Sequence, residues 1–354
     1  CAMRNTVRFL FIMILVLFLL ATAGCTKNQT SSEKLYLYNW TYYTPDDLIA
    51  ELEEKTGIDV IIDNFASNEE MFAKVMAGGV SGYDIIFPSS DYTQIMINLD
   101  LLSKLDKDKI PNIKHISAVV QQKATYDPDF SYSVPYFMGS SGIAVNTKRV
   151  PSDYDRSWDI FSDQRMAGSM SMLDDMREVM GSALKSLGYD GNSLDEQHLD
   201  EATARIIDSW KPNLVKFDSE SFGKAFSRGE FAVVHSYPEN VFAEIPESQW
   251  SDIDFFIPDE GGMMYIDNMV IPKDARNKDA AHRFINFIHE PKNYARFLDT
   301  FSFPPTTNTQ AQNFMKNDTF FFTDEDLKSS DIISDLGTGL ELYNQRWEKI
   351  RYGE

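Results

Sequence analysis

The chain has 354 residues, with 54 Asp and Glu against 33 Lys and Arg and a formal net charge of −21. That imbalance argues against nucleic acid and anionic headgroups as partners and favours attraction of cations. The only cysteines are Cys1 and Cys25, so the body has no pair for a disulfide and its core must hold it; at this length a core usually divides, and two domains are expected.

At the N-terminus, Arg4 and Arg8 precede an unbroken apolar run of thirteen residues, Phe9 to Ala21. That length fits the apolar stretch of a signal peptide and is short of the roughly 20 residues that a membrane span needs. Thr22-Ala23-Gly24 then lead to Cys25, the pattern of a bacterial lipoprotein cleavage site, although Thr22 stands where Leu is commonest. The expectation is a signal peptide over residues 1–24, a lipid on Cys25 and a polar, lipidated tether over 25–33. An ordinary signal peptide, or a signal anchor, with an incidental cysteine is the alternative. Removing Arg4 and Arg8 would take the charge from −21 to −23.

Beyond the tether, Lys34 to Trp40 alternates and reads as a strand. Thr44-Pro45-Asp46-Asp47 predicts a helix start, with Thr as cap and acids at the positive end, and Gly57 predicts its stop. Ile58 to Phe65 reads as a second strand. Ser67 and Glu70 have the spacing of a capping box for a helix through Val75. Tyr83 to Phe87 reads as a third strand, broken by Pro88. Strands alternating with helices predict a parallel α/β sheet. Ligands bind such sheets beyond the carboxyl ends of the strands, which singles out Asn39-Trp40-Thr41, Ala66-Ser67-Asn68 and Pro88-Ser89-Ser90.

Two extended stretches, SYSVPY and GIAVN around Tyr132 to Asn146, predict a first crossing between domains. A second α/β set follows, with Gly168 to Leu173 and Phe231 to His235 as strands and Met176 to Leu187 as a helix. Met264 to Ile271 reads as a strand crossing back, and Ala280 to Thr300 as one long amphipathic helix. The domains are expected at 34–140 plus about 267–312, and at 141–266 plus about 313–354.

Catalytic and metal signatures are missing from the sequence. The five histidines stand apart from HExxH or cysteine spacing, and His282 and His289 read as surface residues. Gly139-Ser140-Ser141-Gly142 has the wrong spacing for a nucleophile elbow and no evident partner base. No P-loop, GxGxxG or calcium loop occurs. No catalytic residue, metal or cofactor is expected, and no nucleic-acid partner.

What the sequence does offer is aromatic residues (25 Phe, 16 Tyr, 5 Trp) near acids in loop-like places. A linear polyamine is an alkyl chain with ammoniums; carboxylates would take its charges and flat rings its methylenes, each cation–π contact contributing about 0.5–2 kcal/mol. Asp175 and Glu178 stand three apart at a helix start, so they can share one face; favourable acids at a helix N-terminus are the plainer explanation. Tyr265 and Asp267 have strand spacing and share a face.

Six segments in order, Leu37 to Thr41, Tyr83 to Ser89, Leu173 to Val179, Leu187 to Asn192, Asp259 to Gly262 and Asp267 to Pro272, resemble the spermidine/putrescine-binding proteins of polyamine ABC importers. The likeness runs from about Lys34 to about Ile350. It implies a two-domain type II periplasmic-binding α/β fold with the ligand cleft between domains and closure by hinge. It further implies that Trp40, Thr41, Tyr43 and Ser89 line the cleft from the first domain, that Asp175 and Glu178 hold one ammonium, and that Asp267 holds the other end. Ser219 matches a polar family position, and Tyr237, Tyr265 and Phe303 match aromatic walls. Relatives often carry Trp at Tyr237 and Tyr265. Asp91 replaces a Tyr, with Tyr92 adjacent to take its role; Phe303 replaces a Tyr, and Ile333 a Gln. These departures leave putrescine against spermidine open.

The expected protein is therefore not an enzyme but an extracytoplasmic, periplasmic solute-binding protein. A lipid on Cys25 would anchor it to a membrane, and it would deliver a polyamine to an ABC permease in the cytoplasmic membrane. The alternatives are the same fold binding another small organic cation, such as a basic amino acid or a quaternary amine, or a sensor or enzyme built on that fold.

Overall fold

The computed structural model describes residues 33–353, apart from Tyr42, Ala66, residues 79–81, residues 318–319 and Asp324. The leader, Cys25 and the tether up to residue 32 lie outside the described residues. Among the described residues no helix is long and apolar enough to cross a membrane.

The first half builds as the alternation requires. Strand β1 (Glu33–Trp40) is followed by α1 (Asp46–Thr56), β2 (Ile58–Phe65), α2 (Asn68–Gly78), β3 (Ile85–Ile86) and α3 (Ser90–Asn98). Strand β3 is shorter than the Tyr83–Phe87 run, although the backbone N–H groups of Asp84 and Phe87 extend its bonding to the carbonyls of Tyr36 and Tyr38. Ser67 caps α2, its hydroxyl accepting from the Glu70 N–H at 3.1 Å. Thr44 does not cap α1. Its hydroxyl instead accepts from the buried Asn39 amide at 2.7 Å, and Pro45 takes the position before the helix.

Two crossings follow. Strand β4 (Ser133–Ser140) belongs to the first sheet and β5 (Gly142–Asn146) to the second. The second sheet adds β6 (Met170–Met172), β7 (Leu214–Phe217), β8 (Val233–Ser236) and β9 (Ile253–Phe256), in the order β7-β6-β8-β5-β9. Between these strands lie α4 (Met176–Ser186), α5 (Glu196–Arg205), α6 (Phe222–Ser227) and α7 (Pro238–Phe242). Strand β10 (Met263–Val270) returns to the first sheet, whose order is β11-β10-β3-β1-β2 with β4 also on β10, β11 being Asp331–Ile332. This is the two-domain α/β architecture expected from the sequence.

The β4–β10 pair is the spine. All eight residues of β4 are buried, and of β10 only Tyr265 is partly open. The register slips between Asp267, opposite Phe137, and Asn268, opposite Pro135, so Tyr136 is an extra residue in β4. A bulge is where a proline, which lacks the ladder N–H, is tolerated in a sheet interior. It also re-aims Tyr136, whose hydroxyl reaches the Tyr43 carbonyl at 2.6 Å.

The run from Ala280 to Thr300 is two helices, α8 (Lys278–Ile288) and α9 (Pro291–Phe301). Pro291 ends the first and starts the second, because its fixed φ suits a first turn and not a helix interior. His282 and His289 are buried, contrary to their surface reading. The Nε2 of His282 accepts from the Asp106 N–H at 2.9 Å, and His289 pairs with the Pro135 carbonyl at 2.8 Å. Burial pushes the His289 imidazole down to about 4, so it stays neutral. The last helix, α10 (Leu340–Tyr352), packs Tyr343 and Ile350 into the core of the second sheet. A third cluster, including Met138, Met264, Ile266, Val234 and Phe231, joins strands of both sheets.

Gly261 turns the chain from β9 into β10 with φ +93°, and a Cβ there would lie 2.1 Å from the Ser329 carbonyl oxygen. Its own carbonyl accepts from the buried Trp158 indole at 2.8 Å. Gly57 is also left-handed, φ +70°, but has open space around it. Gly261→Ala should cost at least about 2 kcal/mol from strain and overpacking together, and Gly57→Ala only about 1 kcal/mol from strain alone. Calorimetric unfolding of the two variants checks this; equal losses would mean that the contact at Ser329 carries no cost.

Candidate functional site

A cleft of about 1220 Å³ opens where strands of both sheets end, and it is lined by Trp40, Thr41, Tyr43, Ser89, Asp91, Tyr92, Asp175, Glu178, Ser219, Tyr237, Tyr265, Asp267 and Phe303, the residues that the family likeness implies. Asn39 and Pro88 from the strand-end segments are not in the lining. Trp40 ends β1 and Thr41 follows it, Ser89 and Asp91 follow β3, Asp175 follows β6, and Tyr237 follows β8. Tyr265 and Asp267 lie on β10 itself. Strand ends gather functional side chains because the backbone turns there and leaves a crevice. Ser67, Asn68 and Ser90 from the strand-end segments also line the cleft.

Asp267 is 5 % exposed, with hydroxyls on both carboxylate oxygens: Ser89 donates to Oδ1 at 2.6 Å and Tyr43 to Oδ2 at 2.9 Å. Burial pushes its carboxyl up from 3.8 to about 6, the two hydroxyls pull it down, and the Asp91 charge adds to the rise. Two hydrogen bonds to a charged group contribute about 1.5–3 kcal/mol each, whereas removing a carboxylate from water costs several kcal/mol. Burial wins, and the site favours a positive charge.

Asp175 caps α4, its Oδ1 accepting the N–H groups of Arg177 at 2.8 Å and Glu178 at 3.1 Å. Its side chain is exposed by surface area, yet desolvation by the cleft walls and then the neighbouring Glu178 charge raise its carboxyl. Glu178, one turn on, is fully buried behind it. Its Oε1 accepts from the Tyr237 hydroxyl at 2.9 Å and its Oε2 from Ser141 at 2.5 Å. Ser141 also lies 3.0 Å from His235 Nε2, so this serine does have an imidazole beside it, contrary to the sequence reading. Both are wholly buried, and Ser141 already donates to a carboxylate, an arrangement that holds Glu178 and presents no nucleophile.

Aromatic rings form the walls. The Trp40 indole is fixed by a 2.9 Å hydrogen bond to the Phe87 carbonyl and packs on Phe65. Phe303 stacks on Phe137 at 4.1 Å. Tyr237 and Tyr265 stand edge to face at 5.7 Å. Tyr265 fits because Gly139 is opposite it in the ladder; a Cβ there would lie 2.5 Å from the phenol oxygen. Burial raises Tyr43, Tyr237 and Tyr265 well above 10, which keeps all three as donors.

Other residues hold the frame. Ser219 accepts the Asp174 N–H at 2.8 Å and so fixes the turn before Asp175. Thr41 hydrogen-bonds the Phe65 carbonyl. Tyr92 donates to Glu69 at 3.2 Å. Asp91 is pushed up to about 6 by burial, which the Arg177 charge only partly offsets. Arg177 lines the cleft, but its terminal nitrogens are taken by the Ser334 carbonyl and Asn192.

Sequence reasoning missed Glu239 and Glu69 in this lining. Glu239 follows β8 and opens α7, so the strand-end rule applied to the second sheet would have found it. Desolvation in the cleft lifts its carboxyl to about 7, and the Asp267 charge adds to the rise. Among the described residues no group of three or more His, Cys, Asp or Glu is placed to hold a metal.

Residues 47–323 match the family model described as bacterial extracellular solute-binding protein. The spermidine/putrescine-binding periplasmic protein of Escherichia coli is 30 % identical over 339 residues, covering 94 % of this chain and 96 % of that protein. The putrescine/cadaverine-binding protein of Pseudomonas aeruginosa is 32 % identical over 314 residues, 86 % of this chain and 87 % of that protein. Among solved structures, the Tp0655 (TpPotD) lipoprotein of Treponema pallidum is 49 % identical with a TM-score of 0.87, covering 90 % of this chain and all of that one.

Because the Tyr43 hydroxyl is one of two groups holding Asp267 down, Tyr43→Phe should move that carboxyl above about 6. Carboxyl-carbon NMR titration reads the midpoint directly; an unchanged or lower value would remove Tyr43 from the account.

Proposed function

The chain belongs to the bacterial extracellular solute-binding protein family, and from that membership we propose that its solute is a linear polyamine, putrescine or spermidine. The observation that carries the reading is Asp267, a buried carboxylate held by hydroxyls alone at the floor of an aromatic cleft. A carboxyl raised from 3.8 to about 6 by burial holds about 3 kcal/mol that a bound cation can recover. Asp175 and Glu178 receive one end of the ligand, Asp267 the other, and Trp40, Tyr237, Tyr265 and Phe303 pack on the methylenes between. Arg177 does not favour an α-amino acid, because the ligand's carboxylate would have to displace Ser334 and Asn192 from the guanidinium.

The cleft closes by hinge over the ligand, and the closed form docks on an ABC permease, with no turnover. A lipid on Cys25 anchors the protein at the membrane outside the cytoplasm. The proposed domains are 34–140 plus about 267–312, and 141–266 plus about 313–354, with β10 from Met263 onward and β11 both pairing in the first sheet.

Titration calorimetry of the fragment from Thr26 onward, unfolded and refolded to strip ligand, tests the reading with putrescine, spermidine and lysine in parallel. Micromolar or tighter binding of a polyamine with lysine silent is expected; silence with both polyamines would overturn it. Asp267→Ala should weaken binding by well over tenfold, since an ammonium loses its carboxylate in a closed cleft. Trp40→Ala should weaken both polyamines alike, and a loss confined to one would contradict its role as a wall. Affinity should fall as pH drops through about 6, where Asp91 and Asp267 take up protons and no longer offer charge. For the same reason the ligand-free protein should lose stability as pH rises from about 4 towards 6, because these two groups bind protons more tightly folded than unfolded. Melting temperatures across that range check the sign.

A further inference from the structure

Behind Glu178 stands an imidazole to which the proposed function gives no role. His235 lies on β8, wholly buried, and Trp158 packs edge to face on its ring at 4.9 Å. Ser141 is the residue between the end of β4 and the start of β5, where the chain passes from the first sheet to the second. Its hydroxyl lies 2.5 Å from Glu178 Oε2 and 3.0 Å from His235 Nε2. Nε2 and Oε2 themselves are 3.6 Å apart, too far for a hydrogen bond. The imidazole therefore reaches the carboxylate through the serine. His235 Nδ1 meets no polar group of the described residues.

Resting on the polyamine reading, we propose that His235 is a positioning residue for Glu178: its Nε2–H donates to Ser141 Oγ, whose own proton goes to Glu178 Oε2, and this chain aims the carboxylate at an ammonium of the ligand. A hydroxyl has a single proton to give. Glu178 accepts from Tyr237 on Oε1 and from Ser141 on Oε2, so that proton is spent and Ser141 can only accept from His235. The bare Nδ1 lone pair is what this tautomer leaves over.

The reverse chain would put a proton on Glu178, have Ser141 donate to Nε2 and strand an Nδ1–H in the core with no acceptor. It would also remove the charge that an ammonium seeks. Hydrogen bonds in a chain polarise one another, so a serine that accepts from an imidazole donates more strongly. An apolar side chain at position 235 would fill the same space and leave Ser141 free to turn away from Glu178.

Two measurements test the relay, the first without ligand. In ligand-stripped protein with isotope-labelled histidine, at pH 8, proton–nitrogen correlation spectra of the rings should show His235 with its proton on Nε2; His235→Gln assigns the signal by removing it. A proton on Nδ1 would mean the reverse chain and would overturn the proposal. In the second, putrescine is titrated calorimetrically into the unaltered protein, His235→Leu, His235→Gln, Ser141→Ala and the double variant Ser141→Ala with His235→Leu, each shown by its melting transition to be folded. His235→Leu should weaken binding by about tenfold, and His235→Gln, whose amide N–H can stand in for Nε2–H, should recover most of that loss. The double variant should bind no worse than Ser141→Ala alone, because the imidazole acts only through the serine. Equal losses in His235→Leu and His235→Gln, or losses that add in the double variant, would leave His235 a packing residue and overturn its positioning role. Silence of the unaltered protein towards putrescine and spermidine would instead overturn the polyamine reading, and the place of the ring proton would still decide the relay.

Discussion

A carboxylate taken out of water must be met by donors, by a cation or by a proton, and the cleft is organised around that constraint. Asp267 has two hydroxyl donors and remains raised; Glu178 is wholly buried between the hydroxyls of Tyr237 and Ser141. The surrounding features follow. The bulge at Tyr136 lets that hydroxyl fix the backbone of Tyr43, which in turn positions the phenol that holds Asp267. Gly139 leaves room for the Tyr265 ring. Ser219 and the capping bonds of Asp175 set where α4 begins, and so where Glu178 lies.

Tyrosine at positions 237 and 265 gains meaning in this light. A tryptophan offers a larger apolar face, but its single N–H projects from a different place. The phenols add a donor at the far end of the ring, and at Tyr237 that donor meets Glu178 at 2.9 Å. The same side chain therefore serves as wall and as carboxylate support. Because burial holds these phenols protonated, the support persists across the pH range in which the carboxylates titrate.

Much of the fold was legible because its signals are local. Alternating strands, Gly57 and the Ser67–Glu70 spacing each act within a few residues, and the strand-end rule led from them to Trp40, Thr41, Ser67, Asn68, Ser89 and Ser90 in the cleft. Asp175, Glu178, Ser219, Tyr237 and Phe303 came from family likeness, since alone each has a plainer explanation. The misreadings concern partners far away in sequence. Thr44 is drawn from its helix by Asn39, His282 is buried because Asp106 meets its ring, and Ser141 acquires His235 across a strand pair. Pro291 was a local signal overlooked, because the apolar period continues on both sides of it.

The β4–β10 pair has a consequence for how the chain folds. Its partners are more than a hundred residues apart, Gly139 facing Tyr265 and Ser133 facing Val270. Contacts so distant require the loop-closure entropy to be met before they contribute anything, which slows folding. The second sheet, by contrast, is made wholly from the segment between those two strands. That intervening segment can therefore draw the ends of β4 and β10 together as it forms. The domain that begins first in sequence would then be the one completed last, and the cleft would take shape only when its older wall closes on a younger one.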